Sequence, residues 1–199
     1  MSKARTIKTS KTPWNKGAVV CRKLPLTFEE IRAIRKYLKT SKRIKELALF
    51  NLAIDSSLHV GDLLELRVRD VAPGGQVTER AKVTQQKTKK RIEFELSKPA
   101  RDALSVWILQ EELSPKQFLF PSRIHGSPHL SARQYGRIVD QWVTSIGLDR
   151  SDYGAESIRR TKATLTYMRT KDLQAAQLLL RHTRIRSTVR FLGIETGDV

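Results

Sequence analysis

The sequence predicts a mainly α-helical domain interrupted by one small β-hairpin, an α+β class. Three observations lead there. Apolar residues recur at helical spacing through most of the chain. One pair of short, alternating runs flanks a lysine-rich tip. The 199 residues are 39% hydrophobic, enough for one compact domain with a real core.

Residues 1–23 are rich in Lys, Arg, Ser and Thr, with PWNKG at 13–17. They read as a basic N-terminal arm, either following a nucleic-acid groove or simply solvated; Trp14 is unusual in a purely solvated tail. The first helix starts at Thr27, because TFEE is a capping box, and Ile31, Ile34 and Leu38 then share one face. A second helix covers roughly 43–55. The run VGDLLELRVRDV predicts one further short helix, with Leu63, Leu64 and Leu66 buried. VAPGG marks a turn. Val77–Gln86 and Arg91–Leu96 then read as strands, Ile92, Phe94 and Leu96 alternating with Glu93 and Glu95 around KTKK. Helices resume at Ser97–Gln110, with Ala103, Leu104 and Trp107 in phase. FLFPSRIHGSPH is an irregular connection. Ser131 caps a helix ending at Gly147, whose Tyr135, Ile138, Val139, Trp142 and Ile146 form a core stripe. Helices near 155–169 and 172–181, and one from Ser187, complete the chain.

The charge narrows the function. Lys and Arg number 38 against 20 acidic residues, a net +18, and the pI is near 10.4. Such an excess predicts a polyanionic partner, since clustered cations release counterions from phosphates. A membrane surface is disfavoured, because there is no long apolar run and no basic amphipathic terminal helix. The single cysteine, Cys21, excludes an internal disulfide framework and reads as a plain small residue. No signal peptide is evident, so an intracellular, cytoplasmic location is expected. No cofactor is expected. No metal site is expected either: His125 and His129 are four apart, but the intervening GSP breaks helical geometry.

Besides the arm, cations gather in three places. The hairpin tip carries Lys87, Lys89, Lys90 and Arg91. SIRRTKATLTYMRTK carries Arg159, Arg160, Lys162, Arg169 and Lys171. LLLRHTRIRSTVRFLGI carries Arg181, His182, Arg184, Arg186 and Arg190. A charge run is usually a solvated face. These clusters flank apolar helices with few acids nearby, which favours a shared phosphate-binding face.

The ordered motifs ALFNLAIDSSLHVGDLLELRVRDV, QQKT on a hairpin, ESIRRTKAT and LLLRHTRIRSTVRFLGIE resemble the catalytic domain of the tyrosine recombinases, or phage integrases. The resemblance spans nearly the whole chain, is strongest to short bacterial integrase-like proteins, and lacks the separate N-terminal core-binding domain of larger members. It implies that residues 24–199 form a tyrosine-recombinase-like catalytic domain.

The family's chemistry is metal-free. A tyrosine attacks a DNA phosphodiester to give a 3′-phosphotyrosyl link, two arginines and a histidine or tryptophan stabilise the developing charge, and a lysine and a second histidine handle protons. Carried over residue by residue, the resemblance implies that Lys87, Arg159 and His182 are retained. Arg181 stands where glycine is usual in the last motif. The first arginine falls on His59, the histidine of His-x-x-Arg on Glu156, and the nucleophile on Phe191. Phenylalanine has no oxygen to attack with, histidine lacks the guanidinium fork, and glutamate places negative charge against phosphate.

The expectation is a catalytically inactive protein that binds double-stranded DNA through Lys87, Lys89, Lys90, Arg91, Arg159, Arg160, Lys162, Arg181, Arg184 and Arg186. Its role would be accessory or regulatory in recombination or integration, on a nucleoid or plasmid, with an active relative or a second copy as possible partners on DNA. The alternatives are an active recombinase using Tyr37, Tyr135, Tyr153, Tyr167 or a partner's tyrosine, and an engineered inactive form of an active integrase. The short run after LGIE predicts a monomer or weak dimer off DNA.

Overall fold

A computed structural model describes residues 23–85, 88–123 and 126–193. Residues 1–22 of the arm, including Cys21, together with Lys87, His125 and the end of LGIE therefore lie outside the described residues.

Helix α1, Phe28–Thr40, begins as its sequence dictates. The Glu30 amide donates to Thr27 Oγ1 at 3.2 Å, and the Thr27 amide donates to Glu30 Oε2 at 2.7 Å. Ile31, Ile34 and Leu38 are buried. Helix α2, Ile44–Ser56, is buried all round from Ala48 onward, the pattern of a central helix. Other elements pack around it, chiefly α1, α5 (Lys98–Gln110) and α7 (Ala155–Thr170).

The single helix expected over VGDLLELRVRDV is two, α3 (Val60–Leu64) and α4 (Val68–Val71). Tertiary pairing overrides the periodicity between them. Arg67 turns extended to bridge Phe118, and the Leu119 amide donates to the Leu66 carbonyl at 2.7 Å.

The hairpin forms from β1 (Arg80–Thr84) and β2 (Arg91–Glu95), antiparallel, with Ala81 opposite Phe94 and Val83 opposite Ile92. Its outer face carries the ion pairs Arg80–Glu95 and Lys82–Glu93. β1 starts three residues later than the sequence suggests. Thr78 is drawn to α4 instead, its amide donating to the Val71 carbonyl at 2.9 Å.

Helix α6, Ala132–Thr144, is capped by Ser131 as expected. Its Tyr135, Val139 and Trp142 are buried core residues, and Ile138 and Ile146 pack beside them. Trp142 stands edge-on to Phe50 with centroids 5.2 Å apart, and its indole N–H donates to Glu46 Oε2 at 2.8 Å. The chain leaves through Gly147 at φ +82, a left-handed position that suits glycine.

α7, α8 (Leu173–Leu180) and α9 (Ile185–Leu192) enclose a smaller apolar cluster. Ala163, Ala176 and Leu180 form its centre, with Tyr167, Leu179, Phe191 and Leu192 against them. Among the described residues no helix is long and apolar enough to cross a membrane.

Candidate nucleic-acid interface

The site lies where α2 ends. A helix leaves its last carbonyls without internal partners and carries partial negative charge there. In this chain three consecutive carbonyls take three cations from distant sequence. Lys162 Nζ donates to the Asp55 carbonyl at 2.9 Å, Arg181 Nη1 to the Ser56 carbonyl at 2.9 Å, and Arg159 Nε to the Ser57 carbonyl at 3.3 Å. The sequence groups these cations with the phosphate-facing set; the fold turns all three onto a helix terminus.

Arg159 is the hub. Its Nη2 donates to the Leu180 carbonyl at 3.2 Å, its Nη1 lies 3.0 Å from His59 Nε2, and Nη1 pairs with Glu156 Oε2 at 3.7 Å. Its side chain is only 10% exposed. Burial lowers its pKa, while the charges of Glu156 and Asp62 support the cation. Guanidinium has no acceptor, so the contact with His59 requires Nε2 to be the unprotonated nitrogen. The position where the family resemblance expects an arginine therefore brings an imidazole against Arg159 and no guanidinium fork.

His182 follows the left-handed end of α8, where Arg181 adopts φ 57. Its Nδ1 is 3.1 Å from Thr188 Oγ1, and its carbonyl accepts from Gln177 Nε2 at 2.9 Å. Thr188 is fully buried. Burial first, then the charges of Arg159 and His59, push the His182 pKa below its ordinary range. The imidazole stands edge-on to the Phe191 ring, 5.3 Å between centroids and at 90°. The guanidinium of Arg160 lies 4.5 Å from the centre of the same ring and that of Arg159 5.5 Å. Arg160 also donates to the Lys23 carbonyl at 2.7 Å, tying the first of the described residues to α7.

Five of the six positions implied by resemblance are thus described, and all five converge: Arg159 touches His59, Glu156 and Phe191, and Phe191 touches His182. Lys87, the sixth, lies outside the described residues. Near it, Gln85 Nε2 reaches Asp62 Oδ2 at 3.4 Å, linking the hairpin to α3. Lys89, Lys90 and Arg91 are exposed on the hairpin, and Arg184 and Arg186 are exposed at the start of α9.

Sequence reasoning missed Asp62, Ser57, Thr188 and Gln177. Asp62 carried a readable signal, an acid inside VGDLL at a position helical spacing would bury, and buried acids need cations. The others act through backbone or hydroxyl contacts that leave no pattern in sequence.

Three of the four candidate tyrosines sit elsewhere in the packing, and the fourth, Tyr167, lies beside the site. Tyr135 is fully buried, with its phenol pKa pushed up by burial. Tyr153 is buried and donates to Glu30 Oε1 at 3.2 Å. Tyr37 packs against the main core under Arg43. Tyr167 joins the small cluster that also holds Phe191. Among the described residues no group of three or more potential metal ligands comes together.

The chain resembles known proteins in sequence and in fold. A probable integrase/recombinase of Bacillus subtilis (strain 168), YoeC, is 28% identical over 169 residues, covering 85% of this chain and 88% of that protein. The crystal structure of XerA recombinase superposes with a TM-score of 0.72 at 17% identity, covering 89% of this chain and 62% of XerA. XerH site-specific recombinase, solved bound to a palindromic difH substrate, gives 0.70 at 20% identity, covering 87% and 50%. The catalytic domain of bacteriophage HP1 integrase gives 0.52 at 14%, covering 88% and 90%. The chain therefore spans about three fifths of XerA and half of XerH, and nearly all of the HP1 domain. The phage integrase family profile matches residues 25–195, and the chain belongs to the phage integrase family.

Proposed function

We propose that this chain holds duplex DNA without cutting it, serving recombination or integration in an accessory or regulatory role. One observation carries the reading: the ring of Phe191, at the position where the resemblance expects a nucleophile, sits against His182, Arg159 and Arg160 and offers no oxygen. The rest of the pocket agrees with it. Arg159 is already engaged by two carbonyls and by Glu156, and His59 stands against it in place of a second guanidinium. Each lost transition-state donor typically costs on the order of 10²–10³ in rate, and without the nucleophile that covalent route ends.

Backbone grip would come from the exposed cations Lys89, Lys90, Arg91, Arg184 and Arg186, with Lys87 and the basic residues 1–22 adding to it. Arg159, Lys162 and Arg181 would brace this face from beneath. One neighbour, XerH, was solved bound to its difH substrate, which supports DNA as the partner here.

The test is a covalent-adduct assay on supercoiled DNA, quenched in detergent and resolved on a denaturing gel. Wild type should give no adduct. The combined variant Phe191→Tyr, His59→Arg, Glu156→His should give one. Wild-type binding to duplex should weaken steeply with salt. An adduct from wild type would overturn the reading. A second reading has one observation behind it, the presence of Tyr167 in the same apolar cluster as Phe191. It predicts a wild-type adduct that Tyr167→Phe abolishes.

A further inference from the structure

Beside Phe191, α7 and α9 leave an open cavity of about 360 Å³, lined by Arg160, His182, Ser187, Arg190 and Phe191. Its lining differs in kind from the Arg159 position. Arg159 is closed off by two carbonyls, an acceptor imidazole nitrogen and a carboxylate. The cavity holds two guanidinium groups, an imidazole and a hydroxyl, and no carboxylate. Arg160 forms a fixed wall: it is 7% exposed and held by the Lys23 carbonyl. Arg190 and Ser187 stand at the mouth, exposed on successive turns of α9, and among the described residues no side-chain hydrogen bond or ion pair engages either one.

We propose that the phosphate position of this chain has moved from Arg159 to this cavity. A backbone phosphodiester of duplex DNA enters it and is gripped by Arg190 and Ser187 against the buried cation of Arg160. The proposal rests on the DNA-holding reading and deepens it. The chemistry is that of a phosphate oxyanion, for which a planar guanidinium fork beside a hydroxyl donor is well suited. Desolvation favours it too: Arg160 is already out of water, so an anion placed beside it meets a field less screened than at an exposed lysine. Phe191 completes the cavity as an apolar wall where a phenol would otherwise compete for the same donors.

The experiment is fluorescence anisotropy of a labelled 30-base-pair duplex titrated with the full chain over a potassium chloride series. Four proteins are compared: wild type, Arg190→Gln, Ser187→Ala, and Lys36→Gln as a control for charge loss at an exposed position on α1. Arg190→Gln should weaken binding about five- to tenfold at 0.1 M salt and reduce the slope of log affinity against log salt by about one. Ser187→Ala should weaken binding about two- to threefold with the slope unchanged, because no charge is lost. Circular dichroism melts confirm that each variant folds. An Arg190→Gln protein that binds no worse than Lys36→Gln overturns the cavity proposal and leaves the DNA-holding reading intact. Wild type that ignores the duplex overturns both. Inorganic phosphate added at constant ionic strength separates the two sources of the anion. Millimolar phosphate that binds wild type but not Arg190→Gln, and leaves the wild-type affinity for duplex unchanged, would assign the cavity to free phosphate and overturn the phosphodiester assignment.

Discussion

Replacing Arg159 by methionine separates a structural clasp from a phosphate ligand. The substitution keeps much of the aliphatic stem and removes the fork. It leaves the Ser57 and Leu180 carbonyls without the donors now at 3.3 and 3.2 Å. Hydrogen bonds from a charged donor contribute about 1.5–3 kcal/mol each when buried, and these two are at the long end. Counting about 1 kcal/mol for each, and about 0.5–1 kcal/mol for the contact with Phe191, gives about 2.5–3 kcal/mol. The ion pair with Glu156 adds little, because that carboxylate is 41% exposed. With a urea slope of about 2 kcal/mol per molar, the unfolding midpoint should fall by about 1–1.5 M. Arg159→Lys should lose about half as much, keeping charge but not the fork. A midpoint within about 0.2 M of wild type, together with a large loss of DNA binding, would refute the clasp and return Arg159 to the phosphate.

Other expectations follow from the same geometry. The folded state lowers the His182 pKa below 6.5, so the unfolded chain takes up the proton first on acidification. Stability from this residue is fully present above pH 6.5 and is lost as pH falls through the folded value. A His182 NMR titration midpoint above 6.5 would contradict this, and His182→Gln should flatten that part of the acid slope. Trp142→Phe removes the bond to Glu46 and leaves space beside Phe50; the expected loss is about 2–3 kcal/mol by urea unfolding. Gly147→Ala meets no atom within 4 Å but keeps φ +82, so it should cost about 1 kcal/mol, purely from backbone conformation.

Local chemistry made much of the fold legible. The capping boxes at Thr27 and Ser131 and the stripe through Tyr135, Val139 and Trp142 needed only spacing. The break between α3 and α4 did not follow from spacing, because Phe118, fifty residues on, draws Arg67 into an extended pairing. The site divides in the same way. His59, Glu156, Arg159, His182 and Phe191 were found by motif, and the fold brings them together. What motif could not tell is which way a cation faces. Arg181 and Arg184 look alike in LLLRHTRIRSTVRF. The first closes a left-handed turn and reaches back to the Ser56 carbonyl, whereas the second is exposed.

The three cations on the end of α2 also set an order of assembly. Their contacts with Ser57, Asp55 and Ser56 close loops of 102, 107 and 125 residues. Closing such loops is slow compared with forming a helix or a hairpin. During synthesis α2 is made early, but its carbonyl end waits for α7 and α8. The face that would meet DNA is therefore finished last, after most of the helices behind it exist. A nascent chain stopped before Arg159 would carry α2 with the carbonyls of Asp55, Ser56 and Ser57 lacking these three donors.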